Sequence, residues 1–249
     1  MLNNYIRPGI NALVTGGARR LGAAVALSLA DKGVNVTLHY NTSYEDVESL
    51  AAEITEKGVE CISIKGDLSQ ASTVQSLYDH AREALGPIDI LINNASIFPE
   101  DILAEVDTQS LHTNVDINAL APLILSRCLA SENRPGVIIN FLDTMIRDYD
   151  RRHVSYHLSK RMLYSITRMQ AMEYAPLLRV NGIAPGLVLP PEGKDASYLE
   201  RLAHTNPLQS YGEPKGVVDA VLFLLDAVFV TGQVIYIDGG RHLKGCMYD

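Results

Sequence analysis

Tyr156 and Lys160 stand four residues apart in YHLSK, and Asp143 lies thirteen residues upstream in IINFLDTM. A Tyr and a Lys one helical turn apart share a face, so the ammonium can sit beside the phenol. A free tyrosine has a pKa of roughly 10. A cation about 4 Å away stabilises the phenolate by up to roughly 4 kcal/mol at an effective dielectric near 20, about three pKa units at most. Tyr156 so placed can exchange a proton near neutrality. Asp143 has different abilities. Ionised, it only accepts hydrogen bonds and repels an alkoxide growing on a ketone oxygen. Sharing a proton with Tyr156, it can help relay one to the nitrogen of a C=N bond. Burial raises its carboxyl pKa and Lys160 lowers it, two opposed effects. The competing reading of Asp143 is a surface carboxylate after a strand.

Short β-branched runs alternate with longer amphipathic segments, and these must position the trio. Strands are expected over 10–15, 34–40, 59–67, 87–95, 136–143, 179–186 and 233–240. Helices are expected over 19–32, 43–58, 70–85, 105–131, 150–176 and 214–226, the second stopping on Gly58 at its C′ position. Near-continuous apolar strands and strict alternation argue an α/β fold: one doubly wound, Rossmann-type parallel sheet of about seven strands, with helices on both faces. No repeat or linker divides residues 1–249, so one dinucleotide-binding domain is expected. The one long irregular stretch, 186–207, carries a Pro pair and a short helical piece, as a lid over a pocket would.

The first strand runs into TGGARRLG (15–22), where glycines let a backbone approach a pyrophosphate and the next helix start attracts it. The second strand ends in HYNTS (39–43), with no carboxylate to hold a ribose diol and repel a 2′-phosphate. INNASIF (92–98) follows the fourth strand, GDLS the third, and Pro185–Gly186 close the sixth.

Taken together, Thr15, Gly16, Gly22, the NNAS stretch, Tyr156, Lys160 and Pro185–Gly186 resemble the short-chain dehydrogenase/reductase family over roughly residues 10–243. Arg20 in place of a glycine, Ser96, Phe98 and Asp143 are similar to its pteridine reductase and dihydromonapterin reductase subgroup. The resemblance implies NADPH as cofactor. It places Gly16, Arg19, Arg20, Leu21, Gly22, His39, Tyr40, Ser43, Asp67, Leu68, Asn94, Ala95, Ser96, Tyr156, Lys160, Pro185, Gly186 and Val188 along it. Arg19 and Ser43 would take the 2′-phosphate, since Thr42 stands where relatives often have Arg. Asp67 would bond the adenine. Asn118 would hold a water beside Lys160, completing a catalytic set with Asp143, Tyr156 and Lys160. Arg20, Ser96, Phe98, Asp143 and Tyr156 would hold a flat pterin, with Phe98 stacking on it; the alternative for Phe98 is a core phenylalanine. His242 could reach a neighbouring subunit's site or lie in a solvated tail.

The implied activity is reduction of a dihydropterin, such as dihydromonapterin, dihydrobiopterin or dihydrofolate. The alternatives are a ketone or 3-oxoacyl-thioester reductase and a non-catalytic NADP(H)-binding sensor. The bulk properties are compatible. The net charge of −8, with no Lys/Arg-rich run, excludes nucleic acid and anionic membrane as expected partners. The start of the chain shows no apolar signal core, so a cytoplasmic protein is expected. Cys61, Cys128 and Cys246 match no zinc spacing or disulfide framework, and no metal is expected. Relatives are mostly homotetramers.

Overall fold

The computed structural model describes residues 5–146, 148 and 151–244. Its centre is a seven-stranded sheet: β1 (Asn11–Val14), β2 (Asn35–Tyr40), β3 (Cys61–Lys65), β4 (Ile90–Asn93), β5 (Gly136–Phe141), β6 (Leu178–Pro185) and β7 (Val234–Ile237). The order is β3-β2-β1-β4-β5-β6-β7, and every neighbouring pair is parallel. Successive side chains of a strand point to opposite faces. Ala12, Val14, Ile90, Ile92, Val137 and Ile139 therefore pack on one side, and Leu13, Leu91 and Ile138 on the other. The first side is covered by α1 (Arg20–Ala30), α2 (Tyr44–Glu56) and α8 (Pro214–Asp226); the second by α3 (Ala71–Leu85) and α5 (Ala121–Ser131). Burial on both faces is why the central strands β1, β4 and β5 are mostly apolar.

The chain winds outward from β1 through β2 to β3, then returns to place β4 on the other flank of β1. The loops after β1 and β4 leave in opposite directions and open a crevice at the C-terminal edge, the place where such sheets bind ligands. TGGARRLG lies on one lip and NNAS on the other.

Three expectations need correction. The helix predicted over 105–131 is interrupted. α4 (Thr108–Val115) passes into a π-helical turn, Asp116–Leu120, before α5 begins. Pro122 has no N–H to return to the carbonyl of Asn118 four residues earlier, so the regular α ladder breaks here. The strand predicted over 136–143 stops at Phe141, which leaves Asp143 in the following turn. The helix predicted from 150 begins later, as α6 (Val154–Glu173). Asp150, like Cys246, lies outside the described residues. The Gly58 C′ position is as expected, with φ 84°. Segment 186–207 contains a short α7 (Ala196–Leu202), N-capped by Asp195. Among the described residues, no helix is long and apolar enough to cross a membrane, and no cluster of three or more His, Cys, Asp or Glu could hold a metal.

Gly22 is the tightest joint between the two lips. A Cβ there would lie 2.2 Å from Gly16 O and 2.6 Å from Asn94 Nδ2. Gly22→Ala should therefore lower stability by about 1–3 kcal/mol, at roughly 2–4 °C of Tm per kcal/mol. Gly58→Ala is the control: nothing lies within 4 Å, and only its left-handed φ of 84° resists, at about 1 kcal/mol. Calorimetry that ranks Gly58→Ala as the more damaging change would contradict this packing account.

Candidate active site

The crevice is knitted by side chains. Thr15 Oγ1 accepts from the N–H groups of Asn94 (3.0 Å) and Ala95 (3.1 Å) and donates to Ile92 O (3.3 Å). Its one donor and two acceptor positions are thereby filled. Asn94 Nδ2 returns bonds to the carbonyls of Thr15 (3.0 Å) and Gly16 (2.9 Å). Asn93 Nδ2 donates to Asn140 Oδ1 at 2.8 Å, tying β4 to β5. His39 is buried at the end of β2. Its Nδ1 accepts from Gly16 N (3.1 Å), and its Nε2 faces Gly66 O (3.0 Å). An acceptor at Nδ1 and a carbonyl at Nε2 select the neutral Nε2–H tautomer. Burial pushes the His39 pKa down, in the same sense. Both ring nitrogens are thus committed to main chain, and His39 braces the turn.

The remaining expected cofactor residues line the same edge. Tyr40 and Leu68 are buried walls, and Leu21 packs on the core. Asp67 is exposed, with Oδ1 accepting from Ser69 N at 2.9 Å. Ser43 and Arg19 stand at the N-caps of α2 and α1, and neither side chain bonds the helix start. Helix starts of this kind leave N–H groups for an anion. Gly16, at φ 60°, sits so close to Ala95 that a Cβ would come within 2.9 Å of its Cα. Gly186 abuts Asp238, at 2.6 Å from a would-be Cβ. Val188 is buried in the core. A groove of bare backbone ending on helix starts suits a dinucleotide phosphate.

The two arginines both reach across to segment 186–207. Arg20 adopts a left-handed φ of 57°, where the family pattern has glycine, and its Nη2 donates to Pro190 O at 2.7 Å. Arg19 pairs with Glu192 at 3.0 Å and lies 3.7 Å from Asp46. Both guanidinium groups therefore clasp segment 186–207 across the turn. Exposed pairs of this kind are worth about 0–1 kcal/mol and exchange readily for a phosphate.

At the centre, Asp143 sits in the turn after β5. Its Oδ1 accepts from Met145 N at 2.7 Å, and its Oδ2 accepts from the Tyr156 hydroxyl at 2.9 Å. Lys160, one turn further along α6, donates from Nζ to Phe141 O at 2.7 Å and lies 5.8 Å from the Tyr156 ring centroid. Burial lowers the Lys160 pKa to about 8, with the Asp143 charge opposing. Asn118, in the π-helical turn, uses its side chain as a clamp: Oδ1 accepts from Ile97 N (2.9 Å), while Nδ2 donates to Ile97 O (3.1 Å) and Ser159 Oγ (3.0 Å). The side-chain amide of Asn118 thus holds the β4 loop against α6.

Phe98 is not a core residue. It is 50% exposed, edge-to-face with Tyr156 at 4.5 Å between centroids. Ser96 is exposed beside it, with only a long contact to Ile97 O of 3.4 Å. Two participants escaped the sequence reading. His153 stacks on Phe98 at 3.8 Å and 13°. The Asp101 carboxylate accepts from Ser155 N (3.1 and 3.3 Å), capping the helix that carries Tyr156. Asp101 lies too far back in the chain for local pattern to expose it, and a His before a helix carries no distinctive signal. His242 bonds Asp238 and stacks on Tyr236.

The buried lysine gives a signed pH dependence. Between about pH 8 and the unfolded value near 10.4, the unfolded chain retains a proton that the folded chain has lost. The Lys160 contribution to stability therefore rises with pH across that window, by on the order of 3 kcal/mol in total. Urea titrations of wild type and Lys160→Met at several pH values should show the difference growing in favour of wild type above pH ~8. A pH-independent difference would show that the ammonium is not desolvated.

Comparison with known proteins agrees with this geometry. A family model described as enoyl-(acyl carrier protein) reductase matches residues 16–242. A 2-dehydro-3-deoxy-D-gluconate 5-dehydrogenase of Formosa agariphila is 31% identical over 241 residues, 92% of this chain and 91% of that protein. A dihydromonapterin reductase of Escherichia coli (strain 536) is 30% identical over 237 residues, 93% of this chain and 96% of that protein. Among solved structures, FolM alternative dihydrofolate reductase 1 from Brucella canis, complexed with NADP, superposes with a TM-score of 0.90 at 33% identity, over 97% of this chain and 98% of that one. The Tyr156–Lys160 pair below a glycine-rich crevice, on a sheet shared with these proteins, means that the chain belongs to the short-chain dehydrogenase/reductase family of oxidoreductases.

Proposed function

We propose that the protein is an NADPH-dependent reductase of a C=N bond in a dihydropterin, such as dihydromonapterin, dihydrobiopterin or dihydrofolate. The observation that carries this reading is the 2.9 Å hydrogen bond from the Tyr156 hydroxyl to Asp143 Oδ2. Two oxygens sharing a proton suit a substrate atom that must gain one. Tyr156 releases its proton to the ring nitrogen, and the Lys160 ammonium lowers the cost of the phenolate left behind. Asp143 stands ready to share the next proton. NADPH, when bound along the groove, supplies the hydride. Half-exposed Phe98 offers a flat face beside Tyr156, and Ser96 an exposed hydroxyl at the rim. Arg20 reaches across the same mouth, where a planar fork suits a heterocycle edge or a phosphate. The dihydromonapterin reductase and FolM relatives support the same substrate class.

Segment 186–207 serves as the lid, and Arg19 with Ser43 takes the 2′-phosphate. The protein acts in the cytoplasm as a homotetramer. Leu158, Met162, Met169 and Met172 form an exposed apolar stripe along one side of α6, which an assembly would cover. The sugar-acid dehydrogenase relative favours a second reading, reduction of a ketone. Asp143 opposes it, because a carboxyl group that accepts from Tyr156 gives the developing alkoxide no hydroxyl donor at this position.

A scan of NADPH oxidation with a dihydropterin, dihydrofolate and an acetoacetyl thioester tests the reading. The dihydropterin should turn over fastest, and Asp143→Ser should lower its kcat about 10²-fold. Faster thioester reduction by wild type, or full pterin turnover in Asp143→Ser, overturns it; no oxidation of NADPH with any substrate favours a sensor. A second test concerns the cofactor. Glu192 competes with a 2′-phosphate for Arg19, so Glu192→Gln should tighten NADPH by up to about fivefold and leave NADH unchanged. Equal effects on both cofactors in fluorescence titrations would place the phosphate elsewhere.

A further inference from the structure

The turn carrying Asp143 is anchored from behind, by the far end of the sheet. Thr144 is buried, and its Oγ1 donates to Asp238 Oδ2. Asp238 follows β7, and its side chain is only 2% exposed. The same Oδ2 accepts from His242 N (2.8 Å) and faces His242 Nδ1 (2.8 Å), while Oδ1 accepts from Gly240 N (2.9 Å). A buried carboxylate must be supplied with donors, and this one is met by hydroxyl, imidazole and backbone. Burial pushes its pKa up, and the bonds from Thr144, His242 and Gly240 outweigh that, leaving it below the ordinary carboxylate value. Being ionised, it can only accept. The Thr144 proton is therefore committed to Asp238, and His242 Nδ1 carries a hydrogen.

Thr144 lies between Asp143 and Met145, and the Met145 N–H holds Oδ1 of Asp143 at 2.7 Å. That bond from a side chain to the amide two residues on is a local turn with the Asp143 rotamer built into it. It leaves Oδ2 aimed at Tyr156. The middle residue of the turn is the one pinned to Asp238. Gly186 packs directly against Asp238, so the anchor also abuts the start of segment 186–207.

We propose that Thr144 and Asp238 are positioning residues for proton delivery: the buried carboxylate holds the Thr144 hydroxyl, and this fixes the turn that presents Asp143 to Tyr156. The inference rests on the reading of Asp143 and Tyr156 as the proton-delivering pair. Neither residue reaches the substrate crevice with a free polar atom; both act through Asp143. Displacements of about 1 Å in such a pair cost on the order of 10²-fold in rate, so loss of the anchor should register in chemistry before binding.

The test compares Thr144→Val, Thr144→Ser, Asp238→Asn and Asp143→Asn in steady-state dihydropterin reduction from pH 5 to 9, with folding checked by circular dichroism. Thr144→Val, which keeps shape and loses the hydroxyl, should lower kcat at least about tenfold, with KM for NADPH changed less than about twofold. The apparent pKa of the kcat profile should move, because the Asp143–Tyr156 coupling, with Lys160 beside it, is altered. Thr144→Ser should restore both. Asp238→Asn should reproduce the Thr144→Val effect, and it decides the matter alone if Thr144→Val does not fold. If Asp143→Asn cripples turnover while folded Thr144→Val and Asp238→Asn keep wild-type kcat and pH profile, the positioning role is wrong and the proton-delivery reading stands. A kcat loss with an unmoved pH profile that Thr144→Ser does not restore also overturns it. If Asp143→Asn turns over dihydropterin normally, both readings fall together.

Discussion

The exchange of hydrogen bonds between Thr15–Gly16 and Asn94–Ala95 is the constraint around which the molecule is arranged. In a parallel sheet the strand ends open on one edge, and the winding reversal between β1 and β4 leaves a gap between their exit loops. Left alone, two such loops would expose unpaired main chain to each other. Thr15 and Asn94 satisfy those groups reciprocally and bring the loops into van der Waals contact. That closeness admits no Cβ at Gly22 and leaves a backbone-lined groove. His39 extends the same logic to the loop after β3. The rigidity of the groove is thus a consequence of polar satisfaction, with the apolar layers supplying most of the stabilisation.

The reactive centre inverts this economy. Lys160 is buried, donates to the carbonyl of Phe141, and has a pKa lowered to about 8. Desolvating an ammonium costs stability, but it leaves the charge strong beside the Tyr156 ring. Asp143 and Tyr156 are held by short local devices: an amide two residues on for one, a capped helix for the other. Each device is braced from a distant part of the chain, by Asp238 behind the turn and by Asp101 at the helix start. A site placed on a loop gains helix-like precision when the loop is tied down on its buried side.

Arg20 and Pro122 show two ways in which a residue that breaks a rule marks a site. Arg20 holds a left-handed φ that glycine would adopt freely, at a cost of about 1–2 kcal/mol, and so carries a guanidinium across the mouth of the groove. Pro122 interrupts a helix that the apolar pattern predicts as continuous, and the π-helical turn that results brings Asn118 between Ile97 and Ser159. The arginine was conspicuous in the sequence because a glycine pattern surrounds it. The π-helical turn was not, because helical periodicity continues on either side of the proline and hides a one-residue change of register.

Local pattern determined what depends on neighbouring residues. Alternating apolar runs specified a parallel sheet with two covered faces, the glycine-rich turn marked its first exit loop, and helical spacing put Tyr156 and Lys160 on one face. Those features need only backbone periodicity and the chemistry of adjacent side chains. Tertiary structure alone decided which polar groups each side chain meets. It set His39 as a brace against the first turn, gave Arg19 to Glu192, stacked His153 on Phe98, and joined Thr144 to Asp238 across 94 residues of chain. Hydrogen-bond partners distant in sequence leave no periodic trace, because each such bond is satisfied once, by geometry that exists only after the layers have packed.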